Sequence, residues 1–549
     1  MTTDDPTPGT PQPPKWSWRD RARGSIPVGR TLNPLDEPLN GLQVFPTAYV
    51  PDRLLVTQDL EENADPLDDL RQAAAAFGWG LLSERLDGTL LSGNGFPEPR
   101  FPEAPVTIRV RITSSDVAGR ESPAPPDAWR VLQRARRHRY LARLRTAGAG
   151  SGPELLREDL LPGVGLEHIL SIDPVGLNPF SHTNPFSHTN PFSHTNPFSH
   201  TNPVDEYGVP GRGGRVPVAW IGPAPTRTED DQVKGRRPVV AVLDTGCGAH
   251  PWLPDGTVTR QLFLDGVPIG LTDDANPEVY PDLFGPLDGE IDPVAGHGTF
   301  IAGIVLQAAP DAHILAVRIA DALGVVEESA LLDAIEALGV LLHRHRHGLP
   351  DGQAIDVLNL SLSYYHETPQ DGAYSLGLYN LLKVLRRLGC AVVASAGNDA
   401  TDRPTFPASL WPWPGSDNGL QPDKGAPLVS VGALNPSLCS TALFSNVGPW
   451  VRTYAVGASV VSTTPGFQGG LQATARDDEY GRRRETIDPD DFRGGFATWS
   501  GTSFAAPLVA GRIAHRLATE LLAGTEKTLP NDQAVKLVNS AVRQVIDLA

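Results

Sequence analysis

The sequence predicts an α/β protein built on a doubly wound, mostly parallel sheet and preceded by a small α+β domain. Three observations predict this. Beyond about residue 216, apolar β-branched runs alternate with helix-length amphipathic segments, the order that gives a parallel sheet covered on both faces. From Val44 to Asp173 the order is instead βαββαβ. And 549 residues are too many for one core.

Residues 1–43 are dense in Pro, Gly and charge, which predicts a disordered segment. The next domain, 44–173, begins with the strand Asp52-Arg-Leu-Leu-Val-Thr57. Asp65-Pro66 supplies an N-cap and a first-turn proline, and Leu67, Leu70, Ala74 and Phe77 space as one helix face ending at Gly78. Gly80 to Arg85 reads as a strand, and Val106-Thr-Ile-Arg-Val-Arg-Ile112 alternates as a half-buried one. A second helix spans about Asp127 to Thr146, and Gly165 to Ile172 closes as a strand. The order is that of a ferredoxin-like split βαβ. The second helix carries Arg130, Arg134, Arg136, Arg137, Arg139, Arg143 and Arg145. They form either a solvated basic face or a surface that docks on acidic groups of the following domain.

Residues 174–215 read as a linker. Asn-Pro-Phe-Ser-His-Thr occurs four times from Asn178 to Thr201, and a proline every six residues keeps helix and sheet from propagating. His182, His188, His194 and His200 recur with it, but the period matches no metal-ligand spacing, so a spacer is expected. In the last domain, 216–549, the strands are Val239–Asp244, Ile314–Ile319, Val357–Leu362 and Ala391–Ala394. Helices are expected over about Glu327–His343 and Tyr374–Leu388.

Three segments of this last domain carry chemistry. Val239-Val-Ala-Val-Leu-Asp244-Thr-Gly246 is a buried strand that ends in a carboxylate at the sheet's carboxyl edge, where open α/β sheets bind ligands. His297 lies in Gly296-His-Gly298, followed by the apolar start of a buried helix. Gly501-Thr-Ser503-Phe-Ala-Ala-Pro507 places a serine at another helix start. A serine needs a base to take its proton, and the base needs an acid to fix its tautomer. Asp-Thr-Gly also marks aspartic peptidases, but no second such carboxylate motif occurs here.

Asp244, His297 and Ser503, in this order and these contexts, resemble the subtilases, the subtilisin-like serine peptidases of family S8. The resemblance covers roughly Val216 to the C-terminus. It implies a subtilisin-like fold, an Asp244–His297–Ser503 triad and hydrolysis of peptide bonds through an acyl-enzyme. Cys390-Ala-Val-Val-Ala-Ser-Ala-Gly-Asn398 matches the segment whose Asn donates to the oxyanion, which gives Asn398 that role. The resemblance puts Ser361, Leu362 and Ser363 on one wall of the substrate cleft. It puts Ala394, Ser395, Ala396 and Gly397 on the other, around an open pocket for an apolar residue. Phe504 stands where many members carry Met, and the polar stretch from Thr464 to Thr498 reads as a surface insertion near the entrance. Cys247 is expected as a buried thiol beneath the site. The N-terminal domain resembles a subtilase propeptide in topology and position, which implies that it inhibits the cleft through its C-terminal tail. An unrelated accessory domain is the alternative. The resemblance requires no cofactor; structural Ca²⁺ is frequent in the family, but no ligand set is legible.

Composition bounds the partners. The net charge of −18 argues against nucleic acid, and no apolar run is long enough for a membrane anchor. Partners are therefore protein or peptide substrates and the chain's own N-terminal domain. Three cysteines imply no disulfide framework, and the N-terminus lacks an apolar signal core. A cytoplasmic enzyme is expected, with unconventional export as the alternative. Two rival functions are a processing enzyme dedicated to one partner protein and a non-catalytic interaction protein on the same scaffold.

Overall fold

The computed structural model describes residues 29–39, 41–58, 66–92, 95–115, 124–147, 160–172, 214–284, 289–368, 376–416, 419–525 and 527–546, with residues 155 and 207. The Asn-Pro-Phe-Ser-His-Thr repeats lie outside the described residues.

The N-terminal domain comprises β1 (Arg30–Thr31), β2 (Ala48–Thr57), α1 (Pro66–Ala75), β3 (Gly80–Glu84), β4 (Thr107–Thr113), α2 (Ala128–Ala147) and β5 (Val164–Ser171). Its strands run antiparallel in the order β5-β2-β4-β3, the split βαβ arrangement. The domain starts earlier than composition suggested. β1 pairs with β2, and Leu32 is buried beside Tyr49 and Leu54. Residues 29–42 thus include sheet, because Leu32 and Leu39 are apolar anchors within a polar, Pro-rich stretch. Trp79, Trp129, Leu132 and Val110 lie in the same core, which belongs to this domain alone.

The larger domain is a seven-stranded sheet. Its elements are β6 (Val239–Asp244), β7 (Val258–Thr259), α3 (His297–Ala308), β8 (His313–Arg318), β9 (Val325–Glu327), α4 (Glu328–Arg346), β10 (Val357–Leu360), α5 (Leu376–Arg387), β11 (Ala391–Ser395), β12 (Leu428–Leu434), β13 (Thr453–Val456), α6 (Thr502–Ala523) and α7 (Asn531–Ile546). All sheet neighbours are parallel, in the order β13-β12-β11-β10-β6-β8-β7. Side chains alternate along β6: Val240 and Val242 enter the core with α3 and α6, whereas Val239, Ala241 and Leu243 enter the one with α4 and α5. The order of connection switches from one side of β6 to the other between β8 and β10, so Asp244 ends the strand at which open α/β sheets form their ligand crevice.

The expected insertion is a hairpin, Arg476–Glu479 against Arg482–Glu485, exposed throughout. No helix among the described residues is long and apolar enough to cross a membrane.

The two domains share a sheet and a core. β5 pairs antiparallel with β9, so the N-terminal sheet continues into the larger domain. Leu55, Leu86, Phe101, Leu170 and Ile172 join the core formed by α4, α5 and the parallel sheet. Among the arginines of α2, Arg137 reaches Glu37 and Arg139 reaches Asp69 at 2.7 Å, both inside their own domain, and Arg136 lies 3.9 Å from Glu367 of the larger domain.

Candidate active site

Asp244 closes β6 and His297 opens α3. The helix is entered through Gly296, in left-handed conformation at φ 79°, a region an L side chain seldom adopts. Gly298 is as constrained, since a Cβ there would lie 2.0 Å from the Gly246 carbonyl oxygen. That closeness seats the imidazole on the carboxylate. His297 Nδ1 is 2.8 Å from Asp244 Oδ1, and Thr245 N donates to the same oxygen at 2.8 Å. An acceptor at that distance fixes the proton on Nδ1 and leaves Nε2 as the basic nitrogen. Nε2 is buried with no hydrogen-bond partner among the described residues. Trp499 meets the ring edge-on at 5.4 Å and Phe504 flanks it at 5.1 Å.

Ser503 sits in the first turn of α6, just after Gly501, and is 2 % exposed. Its Oγ donates to the Ser361 carbonyl at 3.4 Å. Pro507 lies four residues on and has no N–H for the Ser503 carbonyl. Ser361 Oγ donates to that carbonyl instead, at 2.9 Å. Ser361 thus anchors the first turn of α6.

Asn398 follows β11. Its Oδ1 accepts from Thr502 N at 2.8 Å and Thr502 Oγ1 at 2.9 Å. A backbone N–H can only donate, so this pairing settles which side of the amide is oxygen. The Nδ2 atom lies on the side of Gly501, 3.7 Å from where a Cβ would stand there.

The expected cleft walls separate into two groups. Ser363 contributes backbone: its N and O pair with Ser171 at 3.1 and 3.0 Å. Gly397 N donates to Thr502 Oγ1 at 3.1 Å, beside Asn398. By contrast Leu362, Ala394 and Ala396 pack in the core behind the sheet, and Ser395 ends β11 with its side chain buried.

Some site residues carry no sequence signal. Glu278 accepts from Thr245 Oγ1 at 2.5 Å, from Gly298 N at 2.9 Å and from Thr299 Oγ1. Arg215, at the entry to the domain, donates to the Ala295 carbonyl at 2.7 Å and stacks over Trp499 at 4.9 Å, so it braces the turn before His297. Burial lowers its guanidinium to about 10. Cys247 is buried as expected, and burial, then the nearby Glu278 charge, pushes its thiol up to about 12. A thiol held protonated in this way is a poor nucleophile.

A second buried cluster lies between the domains. His168 of β5 places Nδ1 2.7 Å from Glu328 Oε2 and Nε2 2.9 Å from Glu367 Oε2, with Tyr364 stacked at 4.5 Å. His168, His366 and Glu367 are the one group among the described residues spaced to hold a metal ion. Burial alone would lower the His168 pKa, but the two carboxylates reverse this and raise it to about 9. When protonated on both nitrogens, His168 lies as a cation between the two carboxylates and offers no lone pair.

A model of the subtilase family matches residues 235–544. An intracellular serine protease of Paenibacillus polymyxa is 27% identical over 296 residues, 52% of this chain and 68% of that protein. Subtilisin-like protease 5 of Arthroderma benhamiae is 28% identical over 238 residues, 43% of this chain and 46% of that protein. This chain thus spans under half the length of the fungal relative. Among solved structures, a cold adapted subtilisin-like serine proteinase is similar at 22% identity and a TM-score of 0.34, over 56% of this chain and 82% of its own. Fervidolysin from Fervidobacterium pennivorans is similar at 18% identity and a TM-score of 0.40, over 89% of this chain and 59% of its own. Since the family model spans more than half of the 549 residues, this chain belongs to the subtilase family of serine peptidases.

Proposed function

We propose that this chain is a serine endopeptidase held inactive by its own N-terminal domain. The observation that supports the chemistry best is the buried Asp244–His297 pair, its Nε2 without a partner among the described residues and its ring against Phe504, the neighbour of Ser503. In the reacting state Ser503 Oγ leaves the Ser361 carbonyl and gives its hydrogen bond to Nε2. Such contacts commonly tighten only when substrate is bound. Oγ then bonds to the peptide carbonyl carbon while its proton passes to Nε2, and Asp244 stabilises the imidazolium. Asn398 Nδ2 and the Ser503 N–H receive the oxyanion. Collapse expels the amine, which takes the proton from His297, and water resolves the acyl-enzyme with His297 again as base. No cofactor enters these steps. Three unpaired cysteines, two of them buried, favour a reducing compartment.

The docking of β5 supports inhibition. Ser171 exchanges both backbone hydrogen bonds with Ser363, and Ile172 N donates to the Gly324 carbonyl at 2.8 Å. An extended substrate would need these same backbone groups, so the tail of the N-terminal domain competes with it. A fluorophosphonate probe tests the nucleophile: labelling at Ser503 is expected, and an unlabelled Ser503 in catalytic domain freed of its N-terminal domain refutes it. Because the N-terminal domain has its own core, it can be expressed separately and added to active enzyme. Inhibition at micromolar concentration is expected, and full activity in its presence would leave an accessory domain.

A further inference from the structure

Behind the Asp244–His297 pair lies a carboxyl that the mechanism above does not use. Glu278 is buried, and the three donors that converge on it come from residues adjoining the triad. Thr245 follows Asp244; Gly298 and Thr299 follow His297. One side chain thus holds together the end of β6 and the start of α3.

Thr245 Oγ1 has two anionic neighbours, Glu278 Oε1 at 2.5 Å and Asp244 Oδ1 at 3.1 Å. It also accepts from Gly298 N at 2.8 Å. A hydroxyl has one proton to give, so the two carboxylates cannot both receive it. We propose that Glu278 is a positioning residue of the catalytic site, which sets the basicity of His297 by competing with Asp244 for the Thr245 hydroxyl proton. The proposal rests on the Asp244–His297–Ser503 reading and deepens it.

The competition has a direction. While Glu278 is ionised, the shorter contact takes the proton. Asp244 Oδ1 then keeps only Thr245 N and His297 Nδ1 as donors and holds the imidazolium strongly. When Glu278 is neutral, the hydroxyl turns to Asp244, a third donor spreads the carboxylate's charge, and that hold weakens. Loss of the Glu278 charge acts in the same direction through space. Burial raises the Glu278 carboxyl above its ordinary range, opposed by the Thr245 and Thr299 donors and reinforced by Asp244. The other charged or titratable groups that face it are Cys247 and Arg215. Arg318 packs its aliphatic stem nearby but directs its guanidinium to the carbonyls of Leu271, Asp273 and Ala275.

The test uses the full-length Ser503→Ala chain, in which the pH midpoint of His297 protonation is followed through its imidazole resonances. Adding Glu278→Gln should lower that midpoint by about half a unit or more. An unchanged midpoint in folded protein overturns the proposal. If Glu278→Gln does not fold, Thr245→Ser and Thr245→Ala carry the test, because only the alanine breaks the link between the carboxylates. The serine midpoint should match the parent and the alanine midpoint should not; equal midpoints overturn the proposal. Labelling of Ser503 is scored separately, so failure of the peptidase reading is distinguishable from failure of the coupling.

Discussion

The buried imidazoles of His297 and His168 both face carboxylates, and the two arrangements suit opposite roles. His297 meets Asp244 through one nitrogen and keeps the other open. His168 meets Glu328 through one nitrogen and Glu367 through the other. The first arrangement leaves a base with a vacant lone pair. The second leaves no lone pair once the ring is protonated, and makes a cation clamped between two anions. The number of carboxylates, rather than burial, thus separates an imidazole suited to proton transfer from one suited to holding two domains together.

Breaking the open imidazole's unit should have the largest effect. Ser503→Ala is expected to lower peptide hydrolysis by about 10⁴-fold or more, and His297→Ala by a similar amount. The double variant should be no slower than either single one, because the residues act as a unit. A much slower double variant, measured on released enzyme, would break that half of the comparison. Next in size, Asn398→Ala should lower kcat by about 10²–10³-fold with little change in KM, the loss known for such a donor in a subtilisin. A change confined to KM would move Asn398 from transition-state to ground-state binding.

The clamped imidazole predicts a smaller effect of opposite sign. His168→Leu leaves Glu328 and Glu367 buried without their cation, a change that costs about 3 kcal/mol or more, or a hundredfold in docking. The full-length variant should therefore be more active than its parent toward a small peptide. Equal activity would show that His168 is not part of the clamp. Smallest is the pH effect. The His168 pKa is raised in the docked state, so its contribution is complete below the ordinary value near 6.5 and lost as pH rises through about 9. Glu167 acts in the same sense. Burial, then the Glu327 charge, raises its carboxyl to about 7, so its ionisation also opposes docking on the alkaline side. Inhibition of the full-length chain, assayed from pH 6 upward, should weaken towards pH 9; inhibition that strengthens over that range would contradict the clamp.

What the sequence made legible was local. Asp244 is marked by the apolar run it terminates, His297 by its flanking glycines and Ser503 by the small residues after it. From β2 onward the strands and helices of the N-terminal domain also show their own periodicity. Pairings across the fold were not legible. Thr245 and Glu278 are 33 residues apart, and His168 and Glu328 are 160 apart. Nothing in Asn276-Pro-Glu278 distinguishes that glutamate from a solvated one; it becomes a ligand of the site only when α3 packs against β6. The early boundary was missed for the converse reason. Arg30 and Thr31 form only two residues of strand, and tertiary pairing to Tyr49 and Ala48 outweighs a polar, Pro-rich composition.

The ladder between β5 and β9 also bears on solubility. On the proposed release of the N-terminal domain, β9 would lose its one strand partner among the described residues and expose unpaired backbone groups, the kind of surface that recruits strands from other molecules. It is three residues long, Val325 to Glu327, and the Glu327 carboxylate loses its contact with Arg53 at the same moment. A short strand that gains an unpaired charge as it is uncovered would discourage self-association of the separated domain.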